Sequence, residues 1–364
     1  MIIDIIAGAR PNFIKIAPII KAIEQSAQDG KNISYRLVHT GQHYDKNMSG
    51  SFFEELEIPT PTVNFDAGSG TQAEQTGAIM FGYEKLLLNK KSDLCLVVGD
   101  VTSTMACAIV ARKTQIPVAH VEAGIRSNDW SMPEEINRIV TDSITNYFFT
   151  TTISASNNLR KQGVSSKQIH FVGNVMIDTL NRLRGQFIQP QIWRDAALTK
   201  QNYILLTLHR PANVDQEFLL RDYINEILKS SNGLPVIFPV HPRTSKILKK
   251  LNIVSPQLYI TEPLSYLEFN YLAENAKVVI TDSGGITEET TVMKVPCITL
   301  RNNTERPETV EIGTNELIGT NPNKLKGYLD KVFKNKWKEG SIPEKWDGNA
   351  ARRIVDILLK IKYN

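Results

Sequence analysis

Cysteine is scarce in this chain and scattered: Cys95, Cys107 and Cys297 are its three. All lie in apolar surroundings with no CxxC spacing, which excludes a disulfide framework and a cysteine zinc site and fits a reducing compartment. Long apolar runs are missing too. The opening MIIDIIAGARP has no basic region before its short apolar stretch, so neither a signal peptide nor a membrane span is expected, and a cytoplasmic location is. Charge of one sign is equally lacking: Lys+Arg 42 against Asp+Glu 38 leaves +4, mixed along the chain, which argues against a nucleic-acid surface. The densest basic stretch, KILKKL at 246–251, reads as a solvated helix face. Two nucleotide signatures are absent as well. AGSGTQAEQ at 67–75 has no third glycine and does not follow a strand, and no GxxxxGK[ST] occurs, so a nicotinamide oxidoreductase and a P-loop kinase both drop out.

What the chain does have is a steady alternation of short apolar runs and helix-length amphipathic segments. MIIDIIAG, SYRLVHTGQ, LCLVVGD, PVAHVEAG, NYFFTTT and IHFVGN read as strands of the first half; YILLTLH, PVIFPVHP, LYITEP, KVVITDSGG and PCITLRN read as strands of the second. Such alternation means parallel strands joined by crossover helices, an α/β fold. With 364 residues the chain exceeds what one core usually holds, so two doubly wound, Rossmann-like domains facing a central cleft are expected. The polar stretch RLRGQFIQPQIWRDAALTKQN is the candidate linker, which places the domains at 1–180 and 181–348. The end, 349–364, reads as a helix with Ile354, Ile357, Leu358 and Ile361 on one face, and the N-terminal domain is a candidate to receive it.

Ligands of such sheets bind where strands end, so polar residues just after strands are the site candidates. GARPNFIK brings Arg10 and Lys15 to a helix start, where two cations oppose the helix dipole unless an anion uses them. VVGDVTST offers Asp100, HVEAG offers Glu122, and PEEINR offers Glu134 with its neighbour Glu135. Asp100 and the PEEINR glutamates also make good helix starts, whereas a cap explains Glu122 poorly because Gly124 and a loop follow. In the second half LTLHRPAN supplies His209 and Arg210, and PVHPRT supplies His241 and Arg243, both directly after strands. TDSGGITEE then sets Ser283, Gly284 and Gly285 at a strand-to-helix turn, where backbone N–H groups can hold a phosphate; Glu288 or Glu289, a turn further on, can accept from sugar hydroxyls. RNNTERPE adds Arg301 and Arg306. Together these suggest a nucleoside diphosphate held by the second domain and acids of the first facing whatever it carries.

Taken in order, the motifs GARPNFIK, GD at 99–100, HVEAG, PEEINR, TDSGG with EE, and TERPE resemble those of the bacterial non-hydrolysing UDP-N-acetylglucosamine 2-epimerases over nearly the full length. The resemblance implies a GT-B-like fold, a homodimer, no cofactor and no metal. It implies interconversion of UDP-GlcNAc and UDP-ManNAc by loss of UDP to a 2-acetamidoglucal and re-addition, with a UDP-sugar as the partner. It assigns Asp100, Glu122 and Glu134 to the acid–base chemistry, and His209, Arg10, Lys15 and Arg306 to the leaving-group side. Arg138 and Arg210 join the substrate contacts, Ser283 to Gly285 the phosphates, Glu289 the ribose and Phe269 the uracil.

Departures bear on the substrate. Ala212 stands where many members carry a glutamate, and HTGQHYDKNMS leans toward a branch that includes epimerases of UDP-2,3-diacetamido-2,3-dideoxy-glucuronic acid. Gln42 and His43 match a region that forms an allosteric UDP-GlcNAc site in the principal branch, but Lys46 and Asn47 follow where another glutamine belongs. The related uronate is therefore the main rival substrate. A hydrolysing relative, a GT-B glycosyltransferase and a UDP-sugar sensor without catalysis are the more distant readings.

Overall fold

The computed structural model describes residues 1–41, 52–68, 70–240 and 242–361. It divides into two units, Met1–Arg182 with Glu344–Asn364, and Leu183–Pro343.

In the first unit β1 (Ile2–Ala7), β2 (Ser34–His39), β3 (Val63–Asn64), β4 (Leu94–Val98), β5 (Val118–Val121), β6 (Tyr147–Thr150) and β7 (Ile169–Phe171) form one sheet in the order β3-β2-β1-β4-β5-β6-β7. Every pairing is parallel. Helices cover such a sheet on both faces, which is why IIDIIA and LCLVV are apolar nearly throughout. Asp4 is the exception inside β1. It is fully buried and takes Arg36 Nε and Nη2 at 2.7 and 2.8 Å, Ser92 Oγ at 2.8 Å and Tyr83 Oη at 3.0 Å, so its charge is met inside the core. From β1 the chain runs outward through β2 and β3, then returns to β4 on the other side. The loops after β1 and β4 therefore diverge at the sheet's switch point.

The closing segment completes this unit. Trp346 is 1% exposed and donates its Nε1–H to Thr151 O at 3.2 Å. Helix Ala350–Leu358 buries Ile354, Val355 and Leu358 and packs on helix Arg10–Gln28. Its first N–H groups have no intrahelical acceptor, and Asp178, on helix Val175–Leu183, accepts from Ala350 N at 3.1 Å and Ala351 N at 2.6 Å. Burial pushes the Asp178 carboxyl up to about 6 in spite of these two bonds.

The second unit repeats the plan with β8 (Ile204–Thr207), β9 (Val236–Pro239), β10 (Leu258–Thr261), β11 (Val278–Thr281), β12 (Cys297–Thr299) and β13 (Asn315–Leu317), in the order β10-β9-β8-β11-β12-β13. Leu206, Phe238 and Ile280 of its strands pack with Leu220 and Tyr223 in one core. Here the switch point lies between β8 and β11, whose register sets Thr207 opposite Thr281. The polar stretch that suggests a linker is a folded part of this unit. It forms a turn of 3₁₀ helix at Arg184–Gln186 and a helix at Gln191–Asp195, and Trp193 lies edge-on to Tyr203 and Tyr271 at 5.8 and 5.2 Å. Trp193 anchors the segment together with the buried Ala196 and Leu198. Among the described residues no helix is long and apolar enough to cross a membrane.

Replacing Asp178 by Ala leaves two buried N–H groups at the start of helix Ala350–Leu358 without an acceptor. The unfolding free energy should fall by about 1–3 kcal/mol in urea titrations at pH 7.5. A change below about 0.5 kcal/mol would mean that the closing helix is held by its apolar face alone.

Candidate active site

At the first unit's switch point three short motifs close on Gly99. The loop after β1 is tied down by Asn12, whose Oδ1 accepts from Gly8 N at 3.1 Å and Ala9 N at 3.0 Å while its Nδ2 donates to Val98 O at 2.9 Å. One turn further along the same helix, Lys15 reaches Glu122, just past β5, with Nζ–Oε2 at 2.5 Å. Lys15 and Glu122 are 7% and 3% exposed, so the pair is largely withdrawn from water. Gly99 lies directly above it: a Cβ there would come to 3.2 Å from Lys15 Nζ and 3.4 Å from Glu122 Oε2, and its φ of +70° disfavours a side chain in any case. The two cations that stand out at a helix start in the sequence thus divide their roles. Lys15 has an internal anion, and Arg10 is exposed with its guanidinium 4.5 Å from the Phe52 ring centre.

Asp100 follows Gly99 and keeps partial access to solvent, its side chain 25% exposed. Arg138 holds it, with Nε at 3.0 Å from Oδ2, and Asn137 Nδ2 donates to its backbone carbonyl at 2.8 Å. Arg138 Nη1 also donates to Glu135 Oε2 at 2.7 Å, and Glu135 in turn accepts from Ser127 N, Ser127 Oγ and Asn128 N. Of the two PEEINR glutamates, then, the buried one fastens the 127–128 loop and Glu134 is half-buried on the helix's first turn. Below this layer His120 is fully buried, with Nδ1 2.7 Å from Asp142 Oδ1 and Nε2 2.8 Å from Gly99 O. Asp142 Oδ2 accepts from Gly124 N at 3.0 Å and pairs with Arg126 at 2.7 Å. Burial opposes the charge on Asp142, but His120 and Arg126 hold its carboxyl below the usual carboxylate range. Both acid-bearing turns therefore rest on one buried network.

The second unit's switch point carries the TDSGG turn and the start of a helix. Helix Gly284–Met293 begins right after β11, so its first-turn N–H groups have no intrahelical acceptors and its dipole favours a negative charge there. Ser283 N donates to Thr281 Oγ1 at 3.0 Å, which leaves the glycine N–H groups as the open part of the turn. A Cβ on Gly284 would come to 2.7 Å from Glu305 Oε1, and Arg301 Nη2 bonds Glu305 Oε2 at 2.5 Å. TERPE therefore flanks TDSGG in space. The two adjacent glutamates separate by environment: Glu288, fully buried, pairs with Arg306 Nε at 2.7 Å, while Glu289 accepts from Tyr266 Oη at 2.8 Å. Burial without a cation pushes Glu289 up to about 7, moderated by the bonds from Tyr266 and Asn270. Phe269 is half-buried three residues after Tyr266 on helix Tyr266–Asn275, and so on a neighbouring part of the same face. Arg210 Nε donates to Asp282 O at 3.0 Å, and His209 Nδ1 lies 2.7 Å from Asp282 Oδ1.

Asp282, Asn12, Tyr266 and the His120–Asp142 pair are additions that reading the sequence does not supply. Each is polar, and each meets at least one residue 22 or more positions away that the fold brings near. Gln42, His43, Lys46, Asn47 and His241 lie outside the described residues, and Arg243 is placed only by its backbone, in helix Pro242–Leu251. Among the described residues no group of three or more His, Cys, Asp or Glu side chains is placed to hold a metal ion.

A family model described as UDP-N-acetylglucosamine 2-epimerase matches residues 25–359. The UDP-N-acetylglucosamine 2-epimerase of Methanocaldococcus jannaschii is 44% identical, over 100% of both chains. A UDP-2,3-diacetamido-2,3-dideoxy-D-glucuronate 2-epimerase of Pseudomonas aeruginosa is 37% identical over 98% of this chain and 99% of its own. Among solved structures, that of the M. jannaschii UDP-GlcNAc 2-epimerase in complex with UDP-GlcNAc and UDP superposes with a TM-score of 0.87, at 43% identity and covering 98% of this chain and 99% of the other. The Neisseria meningitidis UDP-GlcNAc 2-epimerase bound to UDP-GlcNAc does so with 0.88 at 28% identity, covering 99% and 100%.

Glu289 gives the second unit a pH signature. Its folded value near 7 lies above the unfolded value of about 4.5, so between these limits the folded chain holds a proton that the unfolded chain releases. Its contribution is most favourable at the acid end and is withdrawn as pH rises through 7. Glu289→Gln, neutral throughout, should raise the unfolding free energy by on the order of 2 kcal/mol at pH 8 and have much less effect at pH 5. Equal shifts at the two pH values, read by urea unfolding, would contradict this environment.

Proposed function

We propose, since the chain belongs to the UDP-N-acetylglucosamine 2-epimerase family, that it interconverts UDP-GlcNAc and UDP-ManNAc. The observation that carries this reading is the closure of Lys15, Asn12 and Glu122 on Gly99, with Asp100 as the next residue. Inverting carbon 2 of the sugar means removing a proton that no adjacent carbonyl acidifies, and the route that avoids a free carbanion is elimination. A base takes the proton, the C2–H electrons become the C1=C2 double bond, and the C1–O pair leaves with UDP. Protonation of the 2-acetamidoglucal on the opposite face and return of the UDP oxygen to C1 give the epimer, so atoms and electrons balance without an oxidant.

Each unit carries one half of what this needs. Asp100, Glu122 and Glu134 supply the acid–base groups, and a carboxylate backed by a cation and partly shielded from water is suited to that work. Arg138 and Lys15 hold the first two in place, and Arg10, still exposed, adds positive charge on the leaving-group side. On the nucleotide side the Ser283–Gly285 turn supports binding of the diphosphate, Glu289 the ribose and Phe269 the uracil, with His209 and Arg210 beside the departing phosphates and Arg306 bracing the turn through Glu288. A UDP-2,3-diacetamido-uronate is the alternative substrate, favoured by the P. aeruginosa relative.

We further propose a homodimer and a cytoplasmic site of action. Phe81 and Leu88, 74% and 78% exposed, stand seven residues apart on helix Gln72–Asn89 and so share a face that a second copy would cover. The three thiols are free and buried, as a reducing compartment permits.

Incubation with UDP-GlcNAc in deuterated water should place deuterium on carbon 2 and yield UDP-ManNAc by proton NMR. Free sugar would indicate hydrolysis, and exchange only with the diacetamido uronate would move the substrate. Asp100→Asn and Glu122→Gln should each lower turnover by about 100-fold or more; near-normal rates in both would end the role assignment. Phe81→Glu should shift sedimentation toward a monomer, and an unchanged profile would show that this face is not the contact.

A further inference from the structure

The carboxylate of Asp282 is wholly buried at the end of β11, and nearly everything it touches belongs to the loop after the neighbouring strand β8. The parallel register that pairs Thr207 with Thr281 carries each chain one or two residues further before they part, which brings the 208–210 turn over Asp282. His209 N lies 3.2 Å from both carboxylate oxygens, Arg210 N 3.0 Å from Oδ2, and Asn213 Nδ2 3.0 Å from Oδ2. The ring of His209 makes the remaining contact, Nδ1 to Oδ1 at 2.7 Å, while its side chain is 59% exposed. One buried anion thus fixes both the main chain and the ring of the same histidine. Burial opposes this charge, yet the bonds from His209, Asn213 and Arg210 keep the carboxyl below its ordinary value.

We propose that Asp282 is a positioning residue of the epimerase reaction: it holds His209 as the tautomer protonated on Nδ1, with Nε2 turned outward toward the diphosphate. The proposal rests on the reading of His209 as a leaving-group residue. A carboxylate accepts only, so the ring nitrogen facing it must carry the proton, and Nε2 is left as the nitrogen that meets a phosphoryl oxygen. In this orientation Nε2 faces the oxygen that departs from C1 and can pass a proton to it. Asp282→Asn tests this with almost no change of shape. Oδ2 faces two N–H donors and the Asn213 amide, so the asparagine oxygen settles there and its NH₂ faces Nδ1, forcing the proton of the neutral ring to Nε2.

The experiment combines 15N NMR of the histidine rings with a double-mutant cycle, using the full chain. In the wild type His209 should show a protonated Nδ1, and in Asp282→Asn a protonated Nε2. Turnover of Asp282→Asn should fall by about 100-fold or more, the scale of losing oriented acid–base help, while the UDP dissociation constant stays within about threefold. Introduced into His209→Gln, the same substitution should cost less than about threefold more, because residues acting as a unit are not additive. A full second loss in that background would show that Asp282 acts through the fold at large, and a neutral wild-type ring protonated on Nε2 would overturn the proposal even if the variant failed to fold. Absence of turnover by the wild type on either UDP-sugar would instead refute the activity, and the tautomer would then decide the proposal alone.

Discussion

A carboxylate taken out of water must meet a donor, and that requirement organises both switch points. Glu122 has Lys15, Asp100 and Glu135 share Arg138, Glu288 has Arg306, Glu305 has Arg301, and Asp282 has a histidine, an asparagine and backbone N–H groups. Isolated buried charges would cost several kcal/mol each and would escape by neutralising or by moving. A paired one can stay where the fold puts it. Among the described residues Glu289 has no cation beside it and stands apart for that reason, drifting toward neutrality under the same rule.

The pairing also limits the fold. Lys15 and Glu122 are 107 residues apart and meet only because β1, β4 and β5 lie side by side; His209 and Asp282 meet only because β8 borders β11. A different strand order would strand each partner. Local propensity builds the strands and helices, but the buried ion pairs discriminate between ways of ordering them, and the penalty for a wrong order is an unmatched charge rather than a poorer apolar fit.

This explains what was legible from residues alone. The strand–helix alternation reveals the α/β class because it is a local signal. The motifs in their order reveal the family. What a linear reading could not reach are partners: that Lys15 pairs with Glu122, that Glu288 is claimed by Arg306, and that Asp282 is the residue under His209. Each is a contact between strands whose adjacency is not written in either segment. The 182–202 stretch misleads for a related reason, since its polarity is visible and the two tyrosines that grip Trp193 are not.

Trp346 and helix Ala350–Leu358 belong to the core of a unit whose other strands and helices all begin before residue 183. On the ribosome the first 182 residues emerge before the helix that packs on Arg10–Gln28, which follows only after the whole of the second unit has been made. The second unit can fold from an uninterrupted length of chain, whereas the first completes its own only when the segment from Glu344 onward appears. Order of synthesis and order of completion are therefore reversed, and the half that carries the acids is the last to become whole.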